Sequence, residues 1–235
     1  MRSPKTTGRI IGVLFLTHLI TGLMTPYIML QSLAAPKNLA ASAPANPGQV
    51  RLAVMLLFIG GALTIGIAVT AWPAFREYTR SLGMWVLALA TANFALQCVE
   101  IAGYMTMFTF GQEYAKATAA DVALYNVVGL AVRSAWKWAH YSHLLIMVSW
   151  MFIVFATLWR SALVPRALAG LAMLTALMQI TGITLPQFIP YPTPPMIVMG
   201  LPLAFAYAAL GIWLIVKGFV SEPRASPPLS LGEVG

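Results

Sequence analysis

The sequence has few charged residues and almost no cysteine. Asp, Glu, Lys and Arg together make up 9% of the 235 residues, whereas 60% are hydrophobic. Soluble domains carry about 25% charged residues, so this composition excludes an ordinary soluble globular protein. The one cysteine, Cys98, has no second cysteine in the chain to pair with, and it therefore does not constrain the redox compartment.

Short motifs of the common enzyme classes are also missing. The chain has no G-x-S-x-G nucleophile motif, no H-E-x-x-H zinc motif and no glycine-rich phosphate loop. Its formal net charge of +8 does not indicate a nucleic-acid partner, because the 14 Lys and Arg residues stand singly or in pairs beside apolar runs. We therefore expect no nucleic acid, and no motif points to a particular cofactor.

Six apolar segments are each long enough to cross a bilayer, which takes about 20 residues as a helix. They predict an all-α fold, a polytopic membrane bundle of six transmembrane helices. The first segment follows Arg2, Lys5 and Arg9, but it is too long for the core of a cleaved signal peptide and is expected to remain as a membrane helix. The predicted helices cover residues 9–30, 50–75, 83–108, 138–158, 167–185 and 196–219.

The positions of Lys and Arg predict the orientation of these helices. Nine of the 14 lie on the side that holds both ends of the chain and five on the other, which favours cytoplasmic termini. Residues 1–220 then form the transmembrane domain, and residues 221–235, rich in Pro and Ser, are expected to be a disordered tail. Residues 114–137 are of mixed polarity and predict an outer segment. This segment either lies at the interface or extends the fourth span outward, with Asp121 as a helix cap.

A polar stripe runs along the third predicted span. Asn93, Gln97, Glu100 and Tyr104 share one face of a helix with about 3.6 residues per turn. Lipid cannot hydrogen-bond these groups, so the stripe is expected to face protein or a wet cavity. Glu100 is the acidic residue of the stripe. Glu100 is either a functional residue or a protonated structural carboxyl that is hydrogen-bonded within the protein. Asn93 and Gln97 also suit a purely structural role, in which they bind a neighbouring helix.

Two histidines at the start of the fourth span are candidates for a site with Glu100. His140 and His143 are three residues apart and share a helix face, a spacing that suits two ligands of one metal ion. With both termini inside, Glu100 and His143 would lie at a similar depth in the outer leaflet. The three residues could then form a metal site. The simpler interpretation is that both histidines are amphipathic residues at the water boundary, near the anchor formed by Trp136 and Trp138.

His18 is a further candidate, because it lies near the middle of the first predicted span. Ionisable groups inside a membrane are functional candidates by default. The structural alternative is that Thr21 or Thr25, on the same side of the helix, satisfies the ring by hydrogen bonding.

Three stretches resemble a known family: TTGRIIGVLFLTHLITGL near the start, LWRSALVPRALAGLAML after the fourth span and GIWLIVKGF in the sixth. Together they are similar to a bacterial membrane family catalogued as domain of unknown function 4386. The most specific piece is Pro165 with Arg166 and Leu168, and the similarity extends over nearly the whole chain up to Phe219. It implies a helical, multi-pass protein of the bacterial inner membrane, and it implies no established reaction, ligand or catalytic residue.

These observations favour a membrane protein that binds a small or lipophilic ligand or acts as an accessory subunit of a membrane complex. The alternative is a membrane-embedded enzyme with a Glu/His acid-base pair or metal site in the outer leaflet. A proton-coupled transporter would need two similar halves, and no convincing internal repeat is seen. The lipid bilayer is the expected partner, with another membrane protein or a second copy as candidates. The candidate ligand-binding residues are Glu100, His143, Tyr104, Gln97, Asn93 and His18.

Overall fold

The computed structural model describes residues 3–34, 46–189 and 195–220. The predicted disordered tail, residues 221–235, lies outside these ranges. Within them the chain is helical and contains no strand. A π-helical turn, Leu19–Met24, joins the first two helices, and a 3-10 turn, Leu185–Gln187, follows the seventh. The helices are α1 Pro4–His18, α2 Thr25–Met29, α3 Gln31–Ala34, α4 Pro47–Tyr78, α5 Arg80–Tyr114, α6 Val122–Ser161, α7 Arg166–Thr184 and α8 Pro195–Lys217.

Six helical spans in the described part of the chain are long and apolar enough to cross a membrane, as predicted. The first span consists of α1, the π-helical turn and α2 in one run, Pro4–Met29, and the others are α4 to α8. The chain is therefore a multi-pass membrane protein. Most of the spans are longer than the apolar segments that predicted them, because helical hydrogen bonding continues into flanks that carry polar residues.

The largest of these differences concerns α6, which begins at Val122 rather than near residue 138. Residues 122–137 are therefore an extension of the fourth span, which is one of the two arrangements that the sequence left open. Asp121 occupies the N-cap position, but its side chain makes no capping bond. Its Oδ2 instead accepts a hydrogen bond of 2.6 Å from Thr118 Oγ1.

The six spans are arranged as a closed ring in which each packs against its neighbours in sequence. The first span packs against α4, α4 against α5, and so on to α8, which returns to α1. A single residue, Thr79, separates α4 from α5, so these two helices form a tight antiparallel pair. Inside the ring lies an apolar core that includes Phe15, Trp150 and Tyr207, all fully buried.

Glycines close the ring between the first span and α8. A Cβ atom added at Gly12 would lie 2.7 Å from the backbone oxygen of Gly211, and one added at Gly8 would lie 2.2 Å from the backbone nitrogen of Phe219. Both distances are far below contact range, so the two backbones can approach this closely because residues 8 and 12 have no side chain. Such small-residue contacts are how helices pack tightly in lipid, where no hydrophobic force drives them together.

The π-helical turn Leu19–Met24 lies just before Pro26 in the first span. Proline has no backbone N–H and crowds the preceding helical turn, so a regular α-helix is not favoured there. The wider turn accommodates the proline without ending the span. Turns of this kind occur often at functional sites, and this one forms part of the cavity wall described below.

Candidate functional site

The polar stripe of the third span is buried in protein. Asn93, Gln97, Glu100 and Tyr104, all on α5, are each 3% exposed or less. The stripe therefore faces other helices, in agreement with the cost of placing such groups in lipid.

The first two residues of the stripe bind the neighbouring helix α4. Asn93 Nδ2 donates to Thr64 Oγ1 over 3.4 Å, and Gln97 Nε2 donates to the backbone oxygen of Leu57 over 2.9 Å. These bonds tie α4 to α5. Such hydrogen bonds between neighbouring helices match the helix-binding role, one of the two roles that the sequence left open for Asn93 and Gln97.

Glu100 turns the other way, towards α6, and contacts both candidate histidines. Its Oε1 lies 2.7 Å from Nδ1 of His140, and its Oε2 contacts Nδ1 of His143. The two histidines lie on one face of α6 because they are three residues apart, so the two oxygens of a single carboxylate can reach one ring each. The structure thus brings together Glu100, His140 and His143.

Trp136 completes this cluster, although the sequence indicated only a membrane anchor for it. Its indole is stacked on the His140 ring, with ring centroids 5.3 Å apart, and it packs against Tyr104 at 5.2 Å. A Cβ atom at Gly103 would lie 3.0 Å from Trp136 Cδ1, so that glycine leaves room for the indole on α5. The four-residue spacing of Trp136 and His140 on a helix was the available signal for this contact.

A cavity of about 270 Å³ lies beside the cluster, inside the ring of helices. All six spans contribute to its wall, among them Leu57 from α4 and Gln179 from α7. The first span contributes the residues around the π-helical turn. Most of the lining is aliphatic, and the polar side chains among the described lining residues are Tyr27, Glu100, His140, His143 and Gln179.

Two fully buried atoms of these polar side chains have no hydrogen-bond partner among the described residues. They are Nε2 of His143 and Oε1 of Gln179, both buried. Buried polar atoms are nearly always paired in native proteins, so each unpaired atom calls for an explanation. His143 and Gln179 line the same cavity, so a hydrogen-bond partner for these two atoms would have to lie in that cavity.

His18 takes part in a different contact. Its Nδ1 is hydrogen-bonded to the hydroxyl of Tyr207 on α8 over 3.0 Å, and its ring meets Trp150 edge-on at 5.7 Å. Thr21 and Thr25, which the structural alternative for His18 named as partners of the ring, do not bond it. Both hydroxyls donate instead to carbonyl oxygens of their own helix, at Thr17 and Ile20, where a threonine side chain reaches most easily.

Four of the predicted ligand-binding residues are not among the described residues that line the cavity: His18, Asn93, Gln97 and Tyr104.

Among the described residues, no group of three His, Cys, Asp or Glu is arranged to hold a metal ion. In the cluster itself both carboxylate oxygens and both Nδ1 atoms are engaged with one another. A metal ion bound by Nδ1 of these histidines and by the carboxylate would have to replace these hydrogen bonds. The metal site at His140, His143 and Glu100 therefore stays a prediction.

Comparison with known proteins places the chain in a family. Searches of curated proteins and of solved structures found no match. A family model described as a domain of unknown function, DUF4386, matches residues 10–218. The match covers all six spans almost from end to end and confirms the resemblance seen in the sequence. The chain belongs to the DUF4386 family.

Proposed function

We propose that this protein binds a small lipophilic molecule inside the ring of helices, with the polar end of that molecule beside Glu100, His140 and His143. The observation that carries the proposal is the cavity itself, which is mostly aliphatic and is lined by Glu100, His140 and His143 in contact with one another. Its volume of about 270 Å³ is close to the lower end of the range of roughly 300–1,000 Å³ typical of ligand pockets.

The aliphatic lining favours an apolar occupant. An empty apolar cavity destabilises a protein, because the atoms around it lose their dispersion contacts. Water does not fill such a space well, since it needs two to four polar partners. A lipophilic molecule would restore the lost contacts and place its polar group against the side chains that can bind it.

The cavity is also open towards the surroundings of the bundle. Ile28 in the first span and Leu201 on α8 line it, and yet they are 67% and 55% exposed. These exposed lining residues support entry from the bilayer on this side of the ring, where lipophilic molecules concentrate.

The proposed location is the bacterial inner membrane, with both termini in the cytoplasm. The support for this orientation is the excess of Lys and Arg on the side of the termini, nine against five. The proposal for the ligand does not depend on it.

The test of ligand binding is to fill the cavity and examine what copurifies with the protein. Ala204 lines the cavity, whereas Ala209, on the same helix, is exposed on the outside. Ala204→Leu is expected to lose any lipophilic molecule that mass spectrometry detects on the wild-type protein, and Ala209→Leu to keep it. Equal occupancy of both variants, or no bound molecule on a folded wild-type protein after lipophilic compounds are added, would contradict the proposal.

A second candidate function is acid-base catalysis on the bound molecule. It is favoured by the contact between Glu100 and His143, in which a carboxylate orients one nitrogen of an imidazole and leaves the other without a protein partner. This is how general-base histidines are held in many enzymes. Its test is the lipid composition of membranes that contain the wild-type protein or Glu100→Gln. A product that requires Glu100 would support catalysis, and identical compositions would contradict it.

A further inference from the structure

We infer that the bound molecule carries a hydrogen-bond donor, a hydroxyl or an amide N–H, at one end of an apolar body. This inference rests on the proposed binding function and specifies its ligand. It is based on two buried, unpaired atoms, Nε2 of His143 on α6 and Oε1 of Gln179 on α7, which belong to the wall of one cavity.

Gln179 is the more direct of the two observations. Its side chain is 5% exposed, and its Oε1 has no partner among the described residues. A Cβ atom at Gly200 would lie 2.9 Å from that oxygen, so α8 leaves room for the amide only because residue 200 is glycine. A carbonyl oxygen can only accept hydrogen bonds, and leaving it buried and unpaired is costly. A donor on the ligand removes this cost.

His143 supplies the second acceptor. Its Nδ1 contacts a carboxylate oxygen of Glu100, and a carboxylate can only accept, so the ring hydrogen is on Nδ1. In a neutral ring Nε2 then carries a lone pair. One carboxylate serves two imidazoles, and an additional positive charge would be buried in an apolar cavity without a counterion, which is costly. Any charge is less costly on His140, whose side chain is 15% exposed against 6% for His143.

Two acceptors on the wall select the ligand by its chemistry. An alcohol, a phenol or an amide can donate a hydrogen bond to one of these acceptors, whereas an ether or ester of the same length has no donor. A carboxylate ligand would bring a negative charge to Glu100 and to two acceptor atoms, so it is disfavoured. The rival explanation is that ordered water satisfies both atoms. In that case the cavity would not distinguish an alcohol from an ether.

The experiment compares three probes with the same ten-carbon chain: decanol, decyl methyl ether and decane. The full-length protein is purified in detergent and delipidated, and the dissociation constant of each probe is measured by native mass spectrometry. Decanol is expected to bind about ten-fold more tightly than the ether, which corresponds to about 1.4 kcal/mol and lies within the range for one hydrogen bond. Equal affinities for decanol and ether would overturn the inference and leave the binding function standing. If none of the probes binds, both are wrong.

Variants then test the two acceptors. Gln179→Met removes the amide oxygen with little change in size, and it is expected to lose most of the preference for decanol over the ether. Gln187→Met is the matched control: Gln187 follows in the same span but is exposed, so the preference should persist. His143→Asn keeps an N–H donor for Glu100, removes Nε2 and should weaken the preference as well. If Gln179→Met and His143→Asn both keep the full wild-type preference for decanol over the ether, the inference is wrong.

Discussion

The carboxylate of Glu100 on α5 contacts Nδ1 of His143 on α6 at a point where both side chains are buried. Together with the bond to His140 it links two neighbouring spans through charged or strongly polar groups. Breaking such a buried pair by removing one partner costs about 3–5 kcal/mol, because the remaining group stays buried without its partner.

Glu100→Ala should therefore lower the thermal unfolding temperature in detergent strongly, and Glu100→Gln less, since the amide oxygen can still accept a hydrogen bond from one of the two rings. Glu113→Gln is the control. Glu113 lies on the same helix, but its ion pair with Lys116 is exposed and contributes little to stability. If Glu100→Ala unfolds at the wild-type temperature, Glu100 does not organise this part of the bundle.

Tyr207→Phe should destabilise the protein by about 1–3 kcal/mol, because it leaves Nδ1 of the buried His18 without its hydrogen-bond partner. Tyr78→Phe, at an exposed tyrosine, should have little effect in the same unfolding assay. The pair can also be tested with His18→Phe. The double variant is expected to lose less stability than the sum of the two single variants, and strict additivity would show that the two side chains are not coupled.

Gly12→Ala should destabilise the contact between α1 and α8 by about 1–3 kcal/mol, since the added methyl group meets backbone atoms that cannot move aside easily. Gly66→Ala is a matched control on α4, where a Cβ atom has no neighbour within 4 Å. It is expected to be neutral or slightly stabilising, because alanine favours a helix over glycine by about 1 kcal/mol. Similar losses in both variants would show that helix propensity, and not close packing, decides the effect.

A reporter fused in the turn between Arg160 and Arg166 should be active as a cytoplasmic protein. Arg76, Arg80, Arg160 and Arg166 flank two connections on the same side as both termini, and positive residues are retained in the cytoplasm. A fusion after Tyr114, in the connection at the opposite ends of the spans, should report the other compartment. If instead the fusion after Tyr114 reports the cytoplasm and the fusion between Arg160 and Arg166 reports the other compartment, the topology is the reverse and Glu100 lies in the inner leaflet.

The features that could be predicted are those that repeat along a helix. The lengths of the apolar segments predicted the six spans that the structure contains. The helical period predicted that Asn93, Gln97 and Glu100 share one face of a helix, and this face is buried. The three-residue spacing of His140 and His143 indicated that one group could contact both. These inferences need only the geometry of a single helix.

The features that could not be predicted depend on which helices are neighbours. His18 and Tyr207 are 189 residues apart, and no pattern in the sequence pairs them. Gln179 was not singled out either, because a lone glutamine in an apolar span has no signal until the ring places it beside the cavity. The start of α6 at Val122 was only one of two arrangements that the sequence left open, since apolar length does not detect helical turns that carry charged residues.

The contact of α1 with α8 has a consequence for biogenesis. The ribosome synthesises α1 to α7 before α8, so the ring cannot close until α8 has been made. The glycine face of α1 at Gly8 and Gly12 has no partner until α8 arrives. Because α8 also provides Gly200, Leu201 and Ala204 of the wall, the cavity is complete only after α8 has inserted. A nascent chain stalled before α8 would be integrated in the bilayer but would have no complete pocket.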